Sequence, residues 1–348
     1  MKILIVTDAW HPQINGVVRI YEHIISQLQK EGHRIKVIGP PDFPINLPIP
    51  FYREINFAIA PHSHLVKLID EFAPESIHIA TEGPLGFAAQ KYCLKRDIPF
   101  TTAYHTEYAQ YISKRIAKLA PQIEDWSHEK IDSELKKFHA RASATMVTNK
   151  VIRAELLKRG YIGQLKVILP GVDLALFKPG KKTKFESLTR PVALYVGRIA
   201  FEKNLEDFLE MKWEGSKVLV GQGPDLAKLK GVHPEVIFLG KKTGRELAEY
   251  YRSADVFVFP SKTDTFGLVM IEALASGIPV AAYNVVGPKN IITESFLGSL
   301  GSNLEKSALR ALDSGNAKQR HQYIEKTYSW TKAAEEFLNL CQLASIKK

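Results

Sequence analysis

Short apolar bursts alternate with longer amphipathic stretches from one end of this chain to the other. The first bursts fall at 2–6, 34–38, 76–79, 100–103, 144–147 and 166–168. A second series follows at 192–196, 217–220, 236–238, 256–259 and 280–282. Each is short and nearly continuously apolar. A strand buried on both faces reads this way, because neither face meets water. The stretches between are long enough for crossover helices. The pattern therefore predicts parallel sheets with helices on both faces.

The punctuation agrees. After Asn15-Gly16, residues Val17, Tyr21, Ile24 and Leu28 share one helical face, and Gly32 ends that helix. The segment 266–276 reads as a helix closed by Gly277, with Pro279 opening the next strand. The two strand series are separated by a loop-rich stretch from Pro170-Gly171-Val172-Asp173 to Arg190-Pro191. A chain of 348 residues has room for two domains.

Composition narrows the function. Cys93 and Cys341 are far apart and form no CxxC pattern, so a disulfide framework and a zinc site are unsupported. The expectation is two reduced thiols in a cytoplasmic protein. No run approaches the ~20 apolar residues of a spanning helix, and the opening Met1–Asp8 segment is too short for a secretory signal. The formal net charge is nonetheless +10. A basic chain without a span points to an anionic partner.

Four segments that follow strands carry candidate chemistry, because ligands of open parallel sheets sit beyond the carboxyl ends of strands. In the stretch 261–272, Asp264 precedes a helix and Glu272 lies about two turns into it. The pair reads either as ligands for sugar and ribose hydroxyls or as an N-cap and an exposed helical glutamate. Gly267 between them allows close approach to the main chain. In 195–204, Arg198 and Lys203 can converge on one anion or remain two solvated cations. In 7–17, Gly16 resembles a phosphate-approach glycine, although no full GxGxxG is present. In 101–108, His105 reads either as a structural histidine or as a contact to a sugar or reacting oxygen. Glu82 opens a further loop, facing an acceptor or favouring a helix N-terminus. Gly221-Gln222-Gly223-Pro224 reads only as a glycine turn.

Taken in order and spacing, these segments resemble the GT-B glycosyltransferases of family 4. The resemblance runs through Asn15-Gly16-Val17-Val18, Tyr104-His105-Thr106, Pro170-Gly171-Val172-Asp173, Val196-Gly197-Arg198 with Glu202-Lys203-Asn204, Glu272-Ala273-Leu274-Ala275-Ser276-Gly277, and Tyr328-Ser329-Trp330. It implies two Rossmann-like, doubly wound parallel-sheet domains facing across a cleft. Residues 1–172 would bind the acceptor and 173–328 the nucleotide sugar, with 329–348 a helix packing back on the first domain. The family's E-x7-E motif falls on Asp264 and Glu272, its diphosphate pair on Arg198 and Lys203, its phosphate glycine on Gly16 and its active-site histidine on His105. Leu239-Gly240-Lys241 matches the base-holding loop, and Phe266, Gly267 and Leu268 join the donor set.

Three departures stand out. Asp264 replaces the commoner glutamate, Phe201 a common proline, and Pro170 the usual asparagine. The resemblance also implies retention, no cofactor and no metal, and the chain has no DxD. The donor is expected to be a UDP- or GDP-sugar and the transferred group a mannosyl, glucosyl or glucuronosyl unit. The segment 108–119 mixes aromatic and basic residues, with Tyr108, Tyr111, Lys114, Arg115 and Lys118 as candidates for contact with a lipid acceptor at an anionic membrane face. Its alternative is an ordinary amphipathic helix with a solvated basic face. A 2-epimerase of the same fold and a transferase with a soluble acceptor are the rival readings. Nucleic acid is not an expected partner, since the Arg and Lys residues are scattered.

Overall fold

The structure is a computed structural model, and it describes residues 1–12, 15–44, 46–49, 52–58, 62–105, 124–264 and 266–346. The chain divides into two compact units. Unit 1 comprises Met1–Pro170 with Trp330–Lys348, and unit 2 comprises Gly171–Ser329.

Unit 1 holds β1 (Lys2–Val6), β2 (Arg34–Ile38), β3 (Asn46–Ile49), β4 (Tyr52–Ala58), β5 (Ser76–Ile79), β6 (Thr101–Tyr104), β7 (Ala144–Val147) and β8 (Leu165–Val167). Six of these form one parallel sheet in the order β2-β1-β5-β6-β7-β8. β3 and β4 pair separately as an antiparallel ribbon. Unit 2 holds β9 (Ala193–Val196), β10 (Lys217–Val220), β11 (Ile237–Phe238), β12 (Val256–Phe259), β13 (Val280–Tyr283) and β14 (Gly298–Gly301). They make a second parallel sheet in the order β11-β10-β9-β12-β13-β14. In each sheet the strand order reverses once, beside the first strand: between β1 and β5, and between β9 and β12. In open parallel sheets this reversal is where loops diverge and a ligand crevice forms at the carboxyl edge.

The apolar bursts form the strands because both faces are covered. β5, β6, β7, β9 and β12 are buried at every position. The ribbon and β14 escape the sequence pattern. β3 contains Pro48, which argues against a strand, and β14 reads Gly-Ser-Leu-Gly, which has little intrinsic strand preference. Tertiary contact explains its first residue. A Cβ on Gly298 would sit 1.9 Å from the Val280 carbonyl oxygen, and its φ is +150°.

Helix ends follow their sequence signals closely. The Gly16–Lys30 helix is capped by Asn15, whose Oδ1 accepts from the Val18 amide, and it buries Val18, Ile20, Tyr21, Ile24 and Leu28. The segment 266–276 is helical only over Leu268–Ala275, because Gly267 is left-handed at φ +91° and starts the helix there. Its far end closes as expected. The Gly277 amide donates to Leu274 O and the Ile278 amide to Ala273 O, with Gly277 at φ +90°.

The closing helix Trp330–Gln342 belongs to unit 1. Trp330 stacks on His23 at 4.3 Å, and Phe337 meets the Tyr21 ring edge-on. Ser76 Oγ donates to Cys341 O, and the Ile346 amide donates to Glu75 O beside β5. Both cysteines are buried and free, and burial pushes the Cys93 thiol up to about 12 and that of Cys341 higher still.

Gly298→Ala should lower the urea stability of unit 2 by roughly 1–3 kcal/mol, the usual range for forced overpacking. An unchanged urea midpoint would show that the contact to Val280 does not pin this edge strand.

Candidate active site

In unit 2 the loops after β9 and β12 meet at the point where the strand order reverses. Tyr195 ends its side chain over the start of the first loop, its hydroxyl donating to Arg198 O at 2.8 Å. Gly197 makes that fold-over possible, since a Cβ there would lie 2.6 Å from the Tyr195 hydroxyl. The loop then tightens into a 3-10 turn, Phe201–Lys203, ended by Asn204 in the left-handed conformation at φ +53°. Asn204 is one of the residue types that tolerates this region. Its side-chain amide reaches Asp207 and the Pro260 carbonyl, which fastens the loop after β9 to the end of β12.

The turn aims Lys203 across the switch point. Its Nζ donates to both oxygens of Asp264, at 2.6 and 2.9 Å. Asp264 is therefore not the N-cap of the following helix, a position taken by Gly267. Both partners keep roughly a fifth to a quarter of their side-chain surface in solvent, 21% for Lys203 and 25% for Asp264. Arg198 is half-buried on the same loop.

Glu272 is not the exposed glutamate that its helical position suggested. It is buried at 7% exposure, and Tyr251 donates to its Oε2 at 2.9 Å. Sequence reading missed Tyr251, although Leu247, Ala248 and Tyr251 mark the apolar face of the Gly244–Ser253 helix. Phe266 precedes Gly267 at the start of the Leu268–Ala275 helix. Its ring is built into the domain, edge-on to Tyr328 at 5.7 Å and 4% exposed, so it offers little surface to a ligand. Leu268 is half-buried in the first turn of the helix.

Leu239, Gly240 and Lys241 follow β11, with Gly240 at φ +69°. The Gly221 amide donates to Gly240 O at 2.9 Å, and the Ile199 amide to Gln222 O at 2.9 Å. Three successive loops are thus stitched together through main-chain bonds. The glycine turn after β10, weak as a motif, exists for this contact. A Cβ on Gly221 would meet Gly197 O at 1.8 Å, and one on Gly223 would meet Ile199 O at 2.1 Å.

In unit 1 the switch point carries Asp8. Its carboxylate accepts from the Leu85 and Gly86 amides and from the Thr81 hydroxyl. It serves the N-terminus of the Pro84–Lys95 helix, where backbone donors lack internal partners. Gly83 and Gly86 make room for this packing, since a Cβ on Gly83 would lie 2.3 Å from Asp8 Cγ. Glu82, left open between an acceptor and a helix end, instead meets His139 Nε2 at 3.2 Å in a buried contact. His105 follows β6 at 7% exposure, its Nε2 2.9 Å from the Tyr21 hydroxyl. Gly16 opens its helix with nothing among the described residues within 4 Å of an added Cβ, so their packing does not require glycine there. Tyr108, Tyr111, Lys114, Arg115 and Lys118 lie outside the described residues.

Burial sets the protonation of unit 1. It holds His78 down to about 3, aided by nearby His105, and holds His105 down to about 4, both from an ordinary 6.5. Between those values and pH 6.5 the unfolded chain takes up protons that the folded chain refuses, so stability falls as pH falls. Asp8 acts oppositely. Burial raises it to about 6 from 3.8 despite its three hydrogen bonds, so its share of stability falls as pH rises through that window. His78→Gln should flatten the loss of stability measured by urea unfolding between pH 6.5 and 4, and Asp8→Asn should steepen it. Parallel curves for wild type and His78→Gln would contradict this assignment.

The chain matches two family profiles. Residues 14–176 match Glycosyltransferase Family 4, and residues 178–330 match Glycosyl transferases group 1. Among curated relatives, a sulfoquinovosyl transferase of Arabidopsis thaliana is 31% identical over 78% of this chain, which spans only 54% of that protein's length. A GDP-mannose-dependent alpha-mannosyltransferase of Mycobacterium tuberculosis is 27% identical over 86% of this chain and 83% of its own. An alpha-monoglucosyldiacylglycerol synthase of Streptococcus pneumoniae is 27% identical over 94% and 82%. The fold of the Anabaena HepE protein, solved in complex with UDP and glucose, superposes with a TM-score of 0.70 at 14% identity, covering 99% of this chain and 100% of the other. With two six-stranded parallel sheets and both profiles in sequence order, the chain belongs to the GT-B glycosyltransferases, joining a family 4 N-terminal region to a group 1 C-terminal region.

Proposed function

We propose that this chain moves a hexosyl group from a nucleoside diphosphate hexose to a lipid hydroxyl, with retention at the anomeric carbon and without a metal. The Lys203–Asp264 pair carries the reading. It lies where the sheet of unit 2 offers its crevice, and its partners remain partly open to solvent. A diphosphate competes with Asp264 for the ammonium. Its arrival hands Lys203 to the phosphate and frees the carboxylate to accept from sugar hydroxyls.

The chemistry then follows from charge. The bond from the anomeric carbon to the diphosphate breaks, and the acceptor oxygen bonds to the same face. The departing phosphate oxygen takes the acceptor's proton. This route needs no carboxylate nucleophile, unlike retaining hydrolysis. The protein's task is to position the reactants and neutralise the leaving group, and Lys203 with Arg198 supplies positive charge that a metal supplies elsewhere. Glu272, a carboxylate that accepts from the Tyr251 hydroxyl, suits a ribose diol. Gly16, exposed beside the Asn15 cap, suits phosphate approach to the first turn of its helix.

The relatives direct the choice of substrates. One is named for GDP-mannose and another for diacylglycerol. No described helix is long and apolar enough to cross a membrane, while the net charge of +10 favours an anionic lipid face. Attachment at the cytoplasmic face of the plasma membrane fits that charge, with the basic and aromatic segment 108–119 as its contact.

A thermal-shift screen should show a raised melting point with UDP- or GDP-hexoses. The hexose selected there should pass to diacylglycerol in phosphatidylglycerol vesicles, at a rate unchanged by EDTA. Lys203→Ala should lower kcat about 100-fold or more, with a much smaller change in donor KM. Free epimer as the sole product, or an unchanged kcat in the variant, would overturn the reading.

A further inference from the structure

A second ion pair crosses the switch point of unit 2 in the opposite sense to the first. Lys203, from the loop after β9, reaches Asp264 in the loop after β12. Lys262, from the loop after β12, reaches back to Asp207, in the short helix Glu206–Leu209 that closes the loop after β9. Its Nζ lies 2.9 Å from Asp207 Oδ2. Each loop thus gives one lysine to the other loop's aspartate. Asp207 gathers more than its lysine. The same Oδ2 accepts from the Tyr283 hydroxyl, at the end of β13, and from the Asn204 side-chain amide. The Lys262 ammonium also lies over the Tyr283 ring, 4.3 Å from its centroid. Burial works to raise the Asp207 carboxyl, but the bonds from Tyr283, Lys262 and Asn204 outweigh it and hold the group below its ordinary range.

These bonds bear on Lys203 through the main chain. Asn204 directly follows Lys203 and ends its 3-10 turn in the left-handed conformation. The Asn204 side chain is tied to Asp207 and, at 3.4 Å, to Pro260 O. Asp207 therefore holds the turn from which the Lys203 stem starts. Tyr283 brings in a third loop. Four residues beyond it, Gly287 packs against the main chain of Asp264, where an added Cβ would meet Asp264 O at 2.2 Å. The loop that carries the cation and the loop that carries the carboxylate are thus both referred to the end of β13. The Lys203–Asp264 contact cannot set this register once a diphosphate draws the ammonium away, and it runs through a flexible four-carbon stem. Asn204 and Tyr283 reach Asp207 through a short and a rigid side chain, so their bonds outlast that exchange.

We infer that Asp207, clasped by Lys262, Tyr283 and Asn204, is a positioning residue that keeps the loops after β9 and β12 in register while Lys203 leaves Asp264 for the substrate diphosphate. The inference rests on the proposed transfer reaction for the ligand that takes Lys203, but the hold of Asp207 on the turn does not depend on that reading. The clasp is partly exposed, with 33% of the Asp207 side chain and 49% of the Lys262 side chain in solvent. Its effect is therefore on the two loops and little on global stability.

Backbone hydrogen exchange in the full chain tests the hold on the turn. The Lys203 amide donates to Ala200 O and the Asn204 amide to Phe201 O, so these two amides report on it. Asp207→Ala should speed their exchange roughly 10-fold or more, whereas Asp264→Ala should leave it nearly unchanged. Lys262→Met, at an exposed side chain, should act in the same direction more weakly, and it supplies the comparison if Asp207→Ala does not fold. Unchanged exchange in the Asp207 and Lys262 variants, or an equal loss of protection in Asp264→Ala, would overturn the inference. Transfer to the diacylglycerol vesicles tests the link to turnover. Asp207→Ala should lower kcat roughly 10–100-fold with donor KM little changed. Asp207→Asn still offers an oxygen to the three donors and should recover most of that loss. In a Lys203→Ala background, Asp207→Ala should cost less than about threefold further, because both act through one ammonium. Additive losses would refute the positioning role. Transfer by wild type is measured first: its absence would sink the transferase reading, while exchange still decides what Asp207 holds.

Discussion

Parallel strands deliver every strand-to-helix loop to one edge of a sheet, and the reversal of strand order opens a crevice at a single place along that edge. In unit 2 that place is bridged by the ion pair of Lys203 and Asp264. Everything around it works to hold the two loops in register. Tyr195 grips the first loop by its main chain, and Asn204 ties the same loop to the end of β12. The pair is partly exposed, so by itself it adds little to stability. Its significance lies in placing a cation and a carboxylate together at the strand-order reversal, which is what the proposed function uses.

Close approach of main chains is the second constraint. The loops after β9, β10 and β11 touch through peptide groups, so the positions facing one another have no room for a Cβ. Gly197, Gly221 and Gly223 are a packing requirement of the crevice wall. Gly16 is different, because added bulk there meets nothing among the described residues. Identical residues thus serve opposite ends. Some let protein approach protein, and one stands exposed at a helix start.

Unit 1 solves a different problem. It buries polar groups behind its own carboxyl edge: Asp8 against the amides of a helix start, Glu82 against His139, and a hydrogen-bonded line of Thr101, His78, Tyr21 and His105. Buried polar groups are tolerable when each hydrogen finds an acceptor. The closing helix contributes by covering Tyr21 and His78 with Phe337. The two ends of the sequence therefore cooperate in one domain core.

The sequence by itself determined the strand runs, because a two-faced burial requirement leaves a continuous apolar signature, and it determined the helix ends at Gly32 and Gly277, because left-handed caps favour glycine. It also marked Lys203, Asp264, Glu272 and His105 through their positions after strands. Tertiary structure alone decided the partners. Tyr251 on Glu272, Tyr21 and His78 on His105, and the burial of Phe266 against Tyr328 arise between segments far apart in the chain. The short strand β14 and the β3–β4 ribbon likewise took shape through pairing, since neither carries a strong local preference. Periodicity records which face of an element meets the core, but not which side chain waits on the other side of it.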